Sequence, residues 1–181
     1  MNYETADDAA LVAAARGGDL GAFEALVRRH TRTVYAHALR FFGDHASAED
    51  VVQEVFVKVF RSLGSFDEKS RFSTWLYRVT RNTCLDEVRS GRRRPIPIDP
   101  LDVTASGDDF SDELVLASTI ELAMRALPPE DRDALSAVSL FGLSYTEAGE
   151  SLGVPAGTVK SRVFRARRAL RATLNMPKGG A

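Results

Sequence analysis

The chain is poor in cysteine. Cys84 is the only one among 181 residues, so an intramolecular disulfide is excluded and a thiolate metal cluster is not expected. Long apolar runs are also missing. Residues 9–15 are apolar, but Arg16 ends the run and Asp7 and Asp8 stand where an export signal carries positive charge. No window reaches the ~18 apolar residues of a membrane span. The chain therefore reads as cytoplasmic, without membrane insertion. No segment alternates apolar and polar residues long enough for a strand, and the helical period dominates. Finally, there is almost no net charge: −1 at pH 7, which as an average does not advertise a nucleic-acid partner. What is present is an ordinary globular composition, 44% hydrophobic and 27% charged. The length suits one domain or two small ones.

The near-neutral total hides segregation. Residues 1–70 carry net −3 and residues 71–94 carry net +5, with seven arginines against Asp86 and Glu87. Residues 95–121 hold seven acids and no base, residues 122–152 are net −3, and residues 153–181 hold seven bases and no acid. Two compact basic blocks separated by an acidic stretch suggest two separate contacts with a polyanion. The acidic stretch opens with Pro95, Pro97 and Pro100, which forbid a helix interior. Ser106-Gly107-Asp108-Asp109 follows without apolar period. The chain is thus divided into a domain at 1–94, a flexible acidic linker at 95–112 and a domain at 113–181.

Both domains are expected to be all-α. Helices are predicted at 6–16, 20–42, 47–63, 71–92, 112–126, 129–141, 145–152 and 156–174. Ser47 and Ser144 are the expected N-caps, and Ser144 with Glu147 forms a capping box. Pro128-Pro129 starts one helix. Gly43, Gly64, Gly142 and Gly153 fall where helices should stop.

Helix 47–63 places Val51, Val52, Val55, Phe56, Val59, Phe60 and Leu63 on one broad face. Asp50, Gln53, Glu54, Val57 and Arg61 fall opposite. A polar outer face is ordinarily just solvated, and a lone exposed valine is common. An apolar Val57 ringed by Asp50, Gln53 and Glu54 also fits the centre of a helix-docking patch. In helix 71–92, Phe72, Trp75, Leu76 and Val79 share one side, and Arg78, Arg81, Asn82, Arg89 and Arg92 share the other. That ridge suits a phosphate backbone, and the Asn82 amide can read a base edge. Phe66 and Phe72 end the short loop 64–72, which also carries Arg71. Aromatic rings beside arginines are what unpaired bases stack on. The alternative is that Phe66, Phe72 and Trp75 are core and the arginines a solvated face. The residues alone leave both open.

Residues 143–162 read as helix, glycine turn, helix. This is the helix-turn-helix layout, whose second helix enters the major groove. Val159, Val163, Ala166, Leu170 and Leu174 make its buried stripe. Thr158, Ser161, Arg165 and Arg168 point away, with Arg162 and Phe164 on the margins. Hydroxyls and arginines at the N-terminal half of an exposed helix suit phosphate positioning and guanine reading. A stand-alone helix-turn-helix repressor or activator would explain this half but would leave Val57 and the loop 64–72 unused.

With both blocks in view, residues 8–175 resemble the extracytoplasmic-function sigma factors of bacterial RNA polymerase. Ala48-Glu49-Asp50-Val51-Val52-Gln53-Glu54-Val55-Phe56, Phe72 through Val79 and Asn82 through Asp86 are similar to the family's domain two. Leu127-Pro128 through Arg162 is similar to its domain four. The resemblance implies that the protein binds core RNA polymerase and directs promoter-specific initiation, without a cofactor, a metal or catalysis of its own. It implies that Asp50, Gln53, Glu54 and Val57 dock on the clamp helices of the largest subunit, and that the flap of the second-largest subunit is a further partner. Phe66, Arg71, Phe72, Trp75, Arg78, Arg81, Asn82 and Arg89 would open and read the −10 element of promoter DNA. Thr158, Lys160, Ser161, Arg162, Phe164, Arg165 and Arg168 would read the −35 element. An anti-sigma factor is the implied regulator.

The chain departs from the family pattern at two places. Gly149 stands where alanine is usual, and a slightly loose helix is expected there. Pro155 stands where a capping serine is common. His30 and His37, seven residues apart on the apolar side of helix 20–42, read as packing residues, because two helical turns is too far for one metal ion. Cys84 reads as a small packed residue.

Overall fold

The computed structural model describes residues 2–67, 69–94 and 123–175, with side chains to residue 173. Among these, helices are the only regular secondary structure. The chain divides into two compact units. The first holds α1 (Asp8–Arg16), α2 (Leu20–Phe42), α3 (His45–Ser62) and α4 (Phe72–Arg89), with a short 3-10 turn at Leu63–Ser65. The second holds α5 (Pro129–Ser139), α6 (Tyr145–Leu152) and α7 (Ala156–Asn175). The expected linker 95–112 lies outside the described residues. So does the expected helix 112–126, apart from residues 123–125, which are helical.

Aspartates start the helices of the first unit. Asp7, Asp19 and Asp44 accept hydrogen bonds from the amides of Ala10, Ala22 and Ser47 at 2.8, 3.1 and 2.7 Å. Each satisfies an amide that has no partner within its own helix. The third corrects the expectation for α3. Ser47 receives the cap instead of providing it, and the helix begins two residues earlier. The carboxylate directly after the Gly43 stop is the acceptor that reaches the Ser47 amide. These bonds to Ala22 and Ser47 draw the carboxyls of Asp19 and Asp44 below their ordinary range, because they favour the charged form. Gly43 closes α2 in the left-handed conformation, at φ 80°.

The helices bury one continuous core of Leu11, Val12, Leu26, Val34, Val51, Val55, Val59 and Leu76. Fully burying such side chains contributes about 1.5–3 kcal/mol each. The polar residues inside α4 are reconciled with this core locally. Thr80 and Thr83 donate their hydroxyls to the carbonyls of Leu76 and Val79 at 2.8 and 2.9 Å. Cys84 is buried beside them as a free thiol.

Two expectations about faces need correction. Spacing predicts Phe60 on the buried face of α3, yet the residue is 55% exposed. It sits at the margin of the stripe and meets Phe23 of α2 edge-on at 5.0 Å. α3 stops beside Gly64, as its spacing predicts, and the chain continues there as the 3-10 turn. Leu170 is only half-buried, and the Leu174 side chain lies outside the described residues.

In the second unit α6 carries the full capping box. Glu147 donates its amide to Ser144 Oγ at 3.2 Å, and Ser144 donates its amide to Glu147 Oε2 at 2.8 Å. Gly153 ends the helix at φ 69°. Pro155 leaves its carbonyl to the first turn of α7, accepting from Thr158 and Val159 at 2.9 and 3.2 Å. The capping serine is therefore dispensable for starting this helix.

Gly149 overturns the expectation of a loose helix. It is buried within an unbroken α6, and the incoming backbone of the turn lies directly on it. A Cβ there would stand 2.7 Å from the Val154 carbonyl oxygen and 3.3 Å from the Ala156 nitrogen. Glycine is thus what allows the turn to approach α6. Alanine gains about 1 kcal/mol of helix propensity but must push backbone atoms apart, an overpacking cost of about 1–3 kcal/mol. Gly149→Ala is expected to lower the thermal midpoint of the second unit. An equal or higher midpoint in calorimetry would show that the turn yields freely.

Candidate nucleic-acid and polymerase interface

The outer face of α3 is assembled as a mixed patch. Gln53 is exposed and Val57 is 47% exposed. Glu54 pairs with Lys58 at 3.1 Å, four residues on. Asp50 accepts from Arg93 Nη2 at 2.7 Å. That last contact was not foreseen, because Arg93 is distant in sequence and lies past the end of α4. It is held in place by Glu87, a carboxylate almost fully buried in α4, which also accepts from Arg92 at 3.2 Å. Two arginines counted as part of a basic block are therefore partly neutralised by an acid beneath them.

At the other end of α4 the structure separates the aromatic residues. Phe66 and Phe72 are 5% and 4% exposed. They pack with Trp75 at centroid distances of 5.1 and 5.8 Å, and His30 meets Phe72 at 5.3 Å. Both rings are thus packed as the alternative reading expects, while both also line the cleft beside them. Trp75 is half-buried, and Arg71 is exposed at the N-terminal boundary of α4. An open cleft of about 570 Å³ lies here, lined by Asp7, Asp8, Phe66, Arg71, Phe72 and Ser73. The contribution of α1 was not legible in the sequence. Burial works to raise the Asp8 carboxyl, but hydrogen bonds from His30 at 2.8 Å and Arg29 at 2.7 Å outweigh it and hold the group below its ordinary range.

Further along α4, Asn82 and Arg89 are exposed and Arg78 and Arg81 are half-buried, so the polar ridge faces outward as its spacing requires. His37 is buried, and among the described residues there is no cluster of three or more histidine, cysteine or acidic side chains able to hold a metal ion. No helix among them is long and apolar enough to cross a membrane.

In the second unit Val159, Val163 and Ala166 of α7 are buried, which turns the opposite face outward. Lys160, Ser161 and Arg168 are exposed, and Thr158 and Arg162 are half-buried. Phe164 is 67% exposed, a large apolar ring on a cationic surface. A shallow cleft of about 620 Å³ is lined by Tyr145, Lys160, Ser161, Phe164, Arg165 and Arg168. Ser161 Oγ donates to the Gly157 carbonyl at 3.0 Å, which leaves its lone pairs outward. Arg165 is anchored at one edge by Asp131 of α5. Hydrogen bonding to that carboxylate raises the guanidinium's affinity for its proton.

Comparison with known proteins agrees with this layout. The Sigma-70 region 2 family model matches residues 26–94, and the Sigma-70 region 4 model matches residues 118–170. The RNA polymerase sigma-H factor of Pseudomonas aeruginosa is 36% identical over 180 residues, covering 90% of this chain and 91% of that protein. The chain belongs to the extracytoplasmic-function sigma factors. Another such factor, SigE of Mycolicibacterium smegmatis, is 39% identical over 155 residues, which cover 82% of this chain and 60% of that longer protein. Among solved structures, CnrH in complex with the cytosolic domain of CnrY matches with a TM-score of 0.66 and 30% identity, covering 93% of this chain and 97% of that one. The sigma factor described here is a transcription initiation factor. It binds core RNA polymerase and directs promoter-specific initiation by reading −35 and −10 elements.

Proposed function

We propose that the two units divide the work of promoter recognition between specific faces. The outer face of α3, with Asp50, Gln53, Glu54 and Val57, docks on the clamp helices of the polymerase's largest subunit, and the second unit engages the flap of the second-largest. The α4 ridge of Arg78, Arg81, Asn82 and Arg89 contacts the −10 element. Arg71, Phe66 and Phe72 line the cleft where an unpaired base is received, and Trp75 packs on those two rings. The N-terminal half of α7 enters the −35 major groove, where Lys160, Ser161, Phe164 and Arg165 face base edges. Thr158, Arg162 and Arg168 hold the backbone.

The observation that carries this reading is the outward cationic face of α7, whose opposite side buries Val159, Val163 and Ala166 in the core of its unit. Melting comes from binding the separated strand, with no nucleotide hydrolysis, so the protein is a specificity subunit and not an enzyme. Its place of work is the cytoplasm. The solved relative named above is bound to a protein partner, and an anti-sigma factor holding this chain by its cationic faces is the corresponding regulator here.

Run-off transcription with core polymerase on a pool of genomic DNA tests the reading and finds the promoter together. Discrete transcripts are expected only when core and this chain are both present, and Arg165→Ala should flatten the choice of −35 sequence. Tight promoter binding by the chain alone, with no transcripts, would instead mark a polymerase-independent regulator.

A further inference from the structure

Asp131 is a carboxylate set beneath a cationic surface. It lies in the first turn of α5 and is 3% exposed. Arg165 of α7 donates Nε to Asp131 Oδ2 at 3.0 Å and Nη2 to Oδ1 at 2.6 Å. This is a side-on grip. It uses the Nε hydrogen and one Nη2 hydrogen. The remaining three hydrogens, two on Nη1 and one on Nη2, stay on the far edge of the planar group, and the Arg165 side chain remains 59% exposed.

An arginine on a helix surface samples many rotamers, and ordering it on binding costs affinity. A bidentate carboxylate fixes both the direction and the plane of the guanidinium. We propose that Asp131 is a positioning residue for −35 selectivity, holding the far edge of Arg165 as a ready fork for the O6 and N7 of one guanine in the major groove. The inference rests on the −35 reading of α7 given above and adds a residue outside the recognition helix. It separates two effects of opposite sign. The negative charge of Asp131 works against DNA of every sequence, whereas the lock acts on one base pair.

The test uses holoenzyme assembled from core polymerase and the full chain, on promoters in which each −35 base pair is varied singly. Asp131→Ala is expected to lower guanine preference at one position by about 5–30-fold, with the other positions selected as before. Arg165→Ala should lose preference at that same position, and the double variant should lose no more than Arg165→Ala alone. Arg165→Lys keeps the charge but lacks the planar fork, so it too should lose that preference.

Unchanged selection in Asp131→Ala beside an altered Arg165→Ala would overturn the positioning role and leave the −35 reading standing. An equal loss at every position would also overturn it. If Arg165→Ala changes no position, the −35 reading of Arg165 fails and the inference falls with it. Should Asp131→Ala melt below the assay temperature, Asp131→Asn keeps the shape, removes the charge and is judged by the same outcomes.

Discussion

Replacing Glu87 by alanine is expected to destabilise the first unit by about 2–4 kcal/mol. The Glu87 side chain is almost entirely shielded from water and holds two arginines. The bond to Arg92 contributes little, because that side chain is well exposed and screened by solvent. The bond to Arg93 dominates, because both partners are largely shielded there. Removing the carboxylate leaves Arg93 with the exposed Asp50 as its ion-pair partner and opens a gap beneath the end of α4. Ser90 Oγ and the Arg93 amide also donate to the Glu87 carbonyl, so the chain around that helix end is ordered about this residue. Trp75 is the only tryptophan and lies in α4, so its fluorescence during urea unfolding reports on this unit. An unshifted midpoint in Glu87→Ala would mean that the arginines find equivalent partners elsewhere. Glu87→Gln, which keeps the volume and loses the charge, should fall between the two proteins.

Val57→Asp is expected to weaken binding to core polymerase by about 10–100-fold. The valine is the apolar centre of the α3 face, with Gln53 and Glu54 one turn before it and Asp50 two turns before it. A new carboxylate there would have to be desolvated on docking, beside acids already present. Its effect on folding should be small, within about 0.5 kcal/mol, because the position is solvent-exposed and away from the core. Affinity and stability are thereby separated. Titration of labelled protein with core polymerase reads the first and thermal melting the second. Unchanged affinity would move the docking surface off α3. Asp50→Ala and Gln53→Ala probe the same face, and Asp50→Ala also takes from Arg93 one of its two carboxylate partners, leaving it on Glu87.

Much of the fold was legible because the helices obey simple local rules. α2 and α6 have the limits that periodicity and the glycine stops require. The failures are equally instructive. Asp44 caps α3 in place of Ser47, since its carboxylate three residues upstream accepts from the Ser47 amide itself. Phe60 was counted as core from its position on the wheel, but a stripe margin is buried only if a neighbouring helix covers it. Gly149 read as a weakness because propensity is a property of one helix, while the 2.7 Å approach of Val154 belongs to the turn that folds back on it.

The candidate site divides in the same way. The cationic ridge of α4 and the open face of α7 follow from spacing alone, because a helix with one apolar stripe must turn the other side out. The state of each charge does not follow. Nothing in Glu130-Asp131-Arg132-Asp133 marks Asp131 as the acid that grips Arg165, and nothing in Asp86-Glu87 marks Glu87 as the buried one. Phe66 and Phe72 are likewise ambiguous in sequence, since stacking on a base and packing in a core ask for the same ring.

By itself the sequence determined the helical class, the two-part division, the places of the positive charge and, through paired motifs in order, membership of the sigma family. These rest on period, composition and short-range spacing, which need no knowledge of neighbours. Only the tertiary structure decided which rings are buried, which arginines are held by Glu87 and Asp131, and why a glycine sits inside α6. Asp131 and Arg165 are 34 residues apart while Glu87 and Arg93 are only six, yet both contacts, like the turn against Gly149, depend on how the chain folds back, and their energies arise only when packed surfaces exclude water from one another.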